Sequence, residues 1–371
     1  MALIAGCSGS SPRPETKDAP PPNPAGSRPL GRISWTAVDV PAGLGDEAHV
    51  EDAAAGPAGF VLVGESGELD FQGVVLRSAD GRAWQAVHDT DLLTWSLSKV
   101  ITTDAGFLAI GGKLVHRLFS GAVSWASAIL TSPDGAAWTV DGEFDGLVVE
   151  DVAARGRLVV ATTDAATLLV SGDTGATWRR VPAASTGFGG GSPAAIGVLG
   201  QRWIAVGTIG TSAAAWSSAD GLAWVPATIE AAGPVAGIQS VTPYAIAAGT
   251  SVAVAAGTDD PTECAEGDDF CAHWGTGWTT QDGQHWQRLP RQTPLTDGSG
   301  AFIWPAGDAG VVALAFGLSA SSNGWAWSSV SGTEVMPLAL AIRGQTVVAA
   351  GLGTDAPSTS LAIWLGAVSQ R

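Results

Sequence analysis

Short apolar runs, each closed by a glycine or a small polar residue, recur along the whole chain. GFVLVG begins at Gly59, GFLAIGG at Gly106, RLVVATT at Arg157, RWIAVGT at Arg202, VAVAAGT at Val252, VVALAFG at Val311 and TVVAAGL at Thr346. Each follows another short apolar run and a Gly- or Asp-containing turn, so the pattern predicts seven inner β-hairpins. No window carries the 3.6-residue apolar period of a buried amphipathic helix.

A second pattern follows the hairpins. SADGRAW starts at Ser78, SPDGAAW at Ser132, SGDTGATW at Ser171, SADGLAW at Ser218 and TQDGQHW at Thr280. Asp-Gly between alternating apolar runs predicts a type I′ turn joining a third strand to a fourth. The aspartate of such a turn can accept nearby backbone N–H groups, and the tryptophan can cover the adjacent sheet. Asp80, Trp84, Asp134, Trp138, Asp173, Trp178, Asp220, Trp224, Asp282 and Trp286 are therefore read as structural. These tryptophans are 54, 40, 46 and 62 residues apart. That is the size of a four-stranded propeller blade, about 40–50 residues, with insertions in two cases.

The expected fold is all-β: a seven-bladed β-propeller of four-stranded blades. The sixth blade is expected to carry a degenerate turn, WSSVSGTEV from Trp327, and the seventh (Leu338 to Ala367) is one strand short. GRISWTAV, from Gly31, echoes GRAWQAV, from Gly81. An N-terminal strand is thus expected to complete the last blade and to remove two unpaired edges.

The five turns resemble the Asp-box, or BNR, repeat, usually Ser-x-Asp-x-Gly-x-Thr-Trp. SGDTGATW matches it in full, and the other four are one residue shorter. The resemblance spans residues 31–371 and implies a β-propeller of the sialidase-like superfamily, with a six-bladed sialidase-like propeller as the alternative. Asp-box propellers include sialidases, other glycoside hydrolases, sorting receptors and photosystem assembly factors, so the likeness speaks to fold more than to activity.

Composition narrows the partners. The chain has 371 residues, 14% charged, with 50 Gly, 21 Pro and a formal charge of -17. Binding a polyanion needs a Lys/Arg footprint, so nucleic acid is excluded as a partner. The mean hydropathy of +0.22 reflects buried strands, since no run approaches the roughly 18 apolar residues of a membrane span.

Ile4-Ala5-Gly6-Cys7 resembles a bacterial lipobox, which implies lipidation at Cys7. Seven of the 21 prolines fall within residues 11–30, as in an extended tether. Only six residues precede Cys7, fewer than a charged segment plus an apolar core of about 7–15 residues, so this reading implies a start further upstream. Residues 1–30 are expected to be a disordered lipobox remnant and Pro-rich tether, reaching roughly 70 Å from Ser8 to Leu30 at about 3.1 Å per residue. Residues 31–371 form the propeller. The expected location is extracellular, anchored by lipid to the outer face of the cell membrane, as a monomer. With its preference for Arg over Lys, the chain resembles actinobacterial surface lipoproteins.

Candidate chemistry is sparse. A sialidase-like site would need an arginine triad, a tyrosine nucleophile with a glutamate base, and an aspartic acid/base. Tyr244 is the one tyrosine, expected on an inner strand of the fifth blade. Arg77, Arg82, Arg155, Arg179, Arg180 and Arg288 sit beside turns, away from a central pocket. Cys264 and Cys271 enclose AEGDDF and read as a disulfide in an oxidising compartment, or with His273 and His285 as a zinc site. Asp259, Asp268 and Asp269 crowd the same insertion, where calcium or plain solvent would suit the carboxylates. Long connections from second to third strands carry Asp70, Phe71, His116, Arg117, Phe119, His273 and Trp274, the candidate binding surface. The expected function is noncatalytic: binding a protein partner or an envelope glycan at one face. The alternative is a sialidase-like glycoside hydrolase.

Overall fold

The computed structural model describes residues 30–44, 47–67, 72–92, 94–116, 123–234, 237–262, 274–291, 293–296, 301–314, 317–331, 335–353 and 360–369. The first sheet is a meander of His49–Gly56, Gly59–Ser66, Gln72–Ser78 and Gln85–Ala86. The second runs through Ser96–Thr103, Gly106–His116, Val123–Ser132 and Thr139–Asp145. The third comprises Val149–Arg155, Leu158–Thr163, Leu168–Ser171 and Arg179–Val181.

Next comes a double sheet of eight strands. One meander is Ser192–Leu199, Arg202–Ile209, Ser212–Ser218 and Val225–Ile229; the other is Ile238–Ala248, Ala253–Pro261, Trp274–Thr280 and His285–Arg288. A further four-stranded sheet holds Phe302–Pro305, Val311–Leu314, Leu318–Ser321 and Ser328–Ser329. The last sheet orders Pro337–Arg343, Thr346–Leu352, Leu361–Val368 and finally Ile33–Val38, which lies antiparallel to Leu361–Val368.

The first strand of every meander touches the first strands of its two neighbours, and the circuit returns from Pro337–Arg343 to His49–Gly56. The fold is a β-propeller. It is not built of seven separate four-stranded blades, nor of six: five sheets have four strands and one has eight. The cause is a parallel pairing of two fourth strands, Thr228 with His285 and Ile229 with Trp286. The Thr228 and Glu230 N–H groups donate to the Gln284 and Trp286 carbonyls at 2.8 and 2.9 Å. Trp278 adds an indole N–H bond to the Glu230 carbonyl.

Apolar faces interleave between neighbouring sheets. Val61, Val63 and Val75 pack with Leu97, Phe107 and Trp138, for example, and are buried. Each turn tryptophan lies in the seam with the sheet before it. Trp84 packs with Val348 and Ile363 of the last sheet, and Trp224 with Val160 and Val170 of the third.

The repeated turns differ from the expected type I′ form. The strands are joined by four to seven residues (six, 79–84, in the first sheet), and none of the four Asp-Gly aspartates has positive φ. The carboxylate organises the loop instead. Asp220 Oδ1 accepts the Leu222 and Ala223 N–H groups and the Ser218 hydroxyl, each at 2.9 Å. Ser218 Oγ in turn accepts the Gly221 N–H. Glycine is required next. Gly135 has a φ of 79°, and a Cβ there would stand 2.6 Å from Val61 of the preceding sheet.

The sixth turn also differs from expectation. It is SSNGWAW, Ser321 to Trp327, in which Asn323 Oδ1 accepts the Trp325 and Ala326 N–H groups at 3.0 and 2.9 Å. An amide oxygen accepts the same two bonds as a carboxylate, so Trp327 occupies the turn's tryptophan position and does not precede it.

Candidate functional site

Six first strands carry a β-bulge at one equivalent level. The register slips between Val50 and Asp52, Leu97 and Lys99, Val149 and Asp151, Pro193 and Ala195, Pro243 and Ala245, and Pro337 and Ala339. A bulge re-aims the extra side chain. Here the extra residues are Glu51, Ser98, Glu150, Ala194, Tyr244 and Leu338, and all six are at least partly exposed while the residue before each is buried. They ring the end of the channel at which the first strands begin.

The residues just after three of these bulges are charged, and they fasten neighbouring strands. Asp52 accepts the N–H of Ala53 at 2.9 Å and that of Val100, on the next sheet, at 3.0 Å. Asp151 repeats the arrangement with Val152 and with Ile196 of the double sheet, both at 2.9 Å. Lys99 stands between them, its Nζ 3.1 Å from Asp151. Asp151 holds the ammonium well above its usual pKa against the effect of burial, with Asp52 adding to the rise. Burial pushes the Asp52 carboxyl up, opposed by Lys99 and the two N–H bonds. The cation is thus the counterion of both carboxylates, positioned to hold strands together.

Across the ring the mouth is aromatic. The Tyr244 hydroxyl donates to the Ala301 carbonyl at 3.2 Å and accepts the Ala301 N–H at 3.0 Å. Its ring is exposed beside Phe302, itself exposed and stacked on Trp304 with centroids 6.1 Å apart. Burial raises the phenol's pKa, and the Ala301 N–H opposes the rise.

The candidate binding residues are only partly placed. Asp70, Phe71, Arg117, Phe119 and His273 lie outside the described residues, as do Cys7, Cys264, Cys271, Asp268 and Asp269. His116 ends the second strand of its sheet. Trp274 opens a third strand and is exposed. Asp259 is no open calcium ligand: both its oxygens accept bonds from Arg288 at 2.8 and 2.7 Å, deep in the double sheet. Arg288 also bonds Thr276 and the Ala231 carbonyl and lies over the Trp278 ring. His285 bonds Asp282 at 2.7 Å, beside a pocket of about 340 Å³ whose walls include Thr228, Glu230 and Trp286.

The turn tryptophans fall into two groups. In Trp84, Trp138, Trp178 and Trp224 the indole N–H donates to the turn glycine's carbonyl, at 2.7 to 3.2 Å. In Trp286 and Trp327 that N–H is buried without a partner.

Sequence reading missed the bulge ring and its charges, although a signal exists. Val-Glu-Asp occurs twice, at Val50 and Val149, at the same place in two first strands.

No family model matches the chain, and no curated protein matches it in sequence. Among solved structures it is similar to a GH74 xyloglucanase from Xanthomonas campestris at 15% identity and a TM-score of 0.50, over 89% of this chain and 60% of that one. It is similar to an ancestral GH74 enzyme at 14% identity and a TM-score of 0.51, over 90% and 48%. The N-terminal domain of Nup159 gives 10% identity and a TM-score of 0.51, over 94% and 98%. The chain thus spans less than two thirds of the length of either GH74 protein. At these identities the shared property is the β-propeller fold, which xyloglucanase and Nup159 hold in common.

Proposed function

We propose that this chain is a noncatalytic β-propeller of the Asp-box kind that binds a protein partner or an envelope glycan at the mouth ringed by the bulge residues. The observation carrying this reading is the state of Tyr244. Its hydroxyl spends both its donor and its acceptor capacity on the Ala301 backbone, which fixes the ring beside Phe302 as a contact surface. A nucleophilic tyrosine would instead need a neighbouring base. Arg288, a buried arginine near this end, is committed to Asp259.

The module is presented outside the cell by a lipid on Cys7 and the Pro-rich segment after it, and Cys264 and Cys271 form a disulfide there. Metabolic labelling with an alkyne-tagged fatty acid tests the anchor: label should enter the wild type and not Cys7→Ser. For the site, the purified protein is applied to a glycan array and incubated with a fluorogenic sialoside and with xyloglucan. Binding that weakens in Phe302→Ala, with no turnover, is the expected result. Turnover of either substrate that Tyr244→Phe abolishes would replace this reading with hydrolysis.

A further inference from the structure

Nine large apolar side chains among the described residues are 41 to 53% exposed. Eight of them gather at one end of the propeller. Leu114 and Trp125 face each other across the second sheet, in the part of its central hairpin that outruns the other strands. Ile209 and Leu352 are the last residues of second strands, while Trp274 opens a third strand and Phe302 a first strand. Met336 immediately precedes a first strand, and Tyr244 stands at a bulge. In each meander the first and third strands begin, and the second ends, on the same side. Asp52 meets Val100 and Ala55 meets Thr102, and likewise Asp151 meets Ile196 and Arg155 meets Gln201, so these neighbouring first strands run in the same direction. Val225, the ninth, opens a fourth strand at the opposite end. Apolar side chains scattered singly need no explanation, but a concentration on one face marks a contact surface.

The charge at this end selects the occupant. Glu51 and Glu150 project from the bulge ring, and Glu65 lies near the end of a second strand beside them. Among the described residues, three bases near the ring are engaged: His49 lies 3.1 Å from Glu51 and 3.3 Å from Glu65, Lys113 lies 2.7 Å from Glu143, and Lys99 pairs with Asp151. Burial, then the nearness of Asp164 and Asp151, raises the Glu150 carboxyl. The part of the rise that comes from the neighbouring carboxylates is repulsion that a cation would relieve. A neutral glycan gives no such relief, and an anionic envelope polymer would worsen it.

We infer that this end of the propeller docks a polypeptide that presents basic and apolar side chains together, an inference that rests on the binding function proposed above. Apolar contacts from Trp125, Phe302 and their neighbours supply the area, and Glu51 and Glu150 select the positive partner.

The probes are three short synthetic peptides: one of alternating Leu and Lys, one of Leu and Glu, and one of Ser and Lys. Binding to the full chain is measured by titration calorimetry. The Leu/Lys peptide should bind about tenfold or more tightly than either of the others. Its affinity should fall by about tenfold in Trp125→Ser/Phe302→Ser, fall less in Glu51→Gln/Glu150→Gln, and stay unchanged in Val225→Ser. Circular dichroism confirms that each variant is folded. Equal binding of all three peptides, or an equal loss in Val225→Ser, would overturn the inference. So would a dimer in sedimentation that buries Trp125, because the occupant would then be a second copy. Glycan binding that is lost in Trp125→Ser/Phe302→Ser would overturn the polypeptide inference while leaving the binding function standing.

Discussion

Arg288 grips both carboxylate oxygens of Asp259, and both side chains are buried. The pair joins the fourth strand of one meander to its second strand, and Arg288 Nη1 carries the link to the Ala231 carbonyl of the adjoining meander. Removing one partner strands a buried charge. Arg288→Met should therefore cost about 3–5 kcal/mol, read as a lower urea midpoint. Arg288→Met combined with Asp259→Leu should recover part of that loss. A single variant as stable as the wild type would show that the contact does not hold the double sheet together.

Lys99 offers a graded version of the same test. Its side chain is 37% exposed, so solvent offsets part of the loss, and Lys99→Met should cost about 1–3 kcal/mol. Asp52→Asn alone should also cost stability, because an amide offers one acceptor oxygen where the carboxylate accepts the Ala53 and Val100 N–H groups on two. If either variant is as stable as the wild type, the stapling role assigned to these charges is wrong.

The two classes of turn tryptophan should respond differently to the same change. Trp224→Phe loses the bond to the Gly221 carbonyl at 3.2 Å, worth about 1 kcal/mol beyond the change in packing. Trp286→Phe removes an indole N–H that has no partner, so its cost should be smaller. Thermal melts of the two variants side by side decide this, and equal shifts would contradict it.

Acid should weaken the turns within a defined window. The Thr177 and Ser171 hydroxyls hold Asp173 down to about 2. At Asp282, burial acts to raise the pKa, but the bonds from His285 and Gln284 outweigh it and the value is again about 2. Both lie below the roughly 3.9 of an unfolded aspartate. Their stabilisation is therefore complete above about pH 4 and is lost as pH falls through about 2. Urea midpoints measured between those limits should fall more steeply in the wild type than in Asp173→Asn.

Much of the architecture was legible because it is local. Alternating apolar runs and the spaced turns predict meanders, and the likeness between GRISWTAV and GRAWQAV points to the pairing of Ile33–Val38 with the end of the chain. The double sheet was not legible. Its parallel junction depends on Thr228 and His285 meeting across 57 residues of chain, as the neighbouring pair Arg288 and Ala231 also do, and no local pattern encodes that meeting. Arg288 was legible as a residue beside a turn, but its burial against Asp259 and the Ala231 carbonyl was not, for the same reason. The sixth turn escaped the pattern because asparagine stands at 323 where the other turns carry aspartate. The site was the least legible part, since a bulge slips the two-residue alternation by one position and so hides which side chains face the channel.

The pairing of the first described strand with the last also governs how the chain is made. Ser34 bonds Ala367 across 333 residues, so the earliest of these strands to leave the ribosome waits, unpartnered, until Leu361–Val368 has followed it. Closing so long a loop is slow. Until it closes, the outer edge of Leu361–Val368 and the whole of Ile33–Val38 can be captured by another nascent copy. Biogenesis of this protein is therefore most vulnerable to self-association in the interval just before the ring seals.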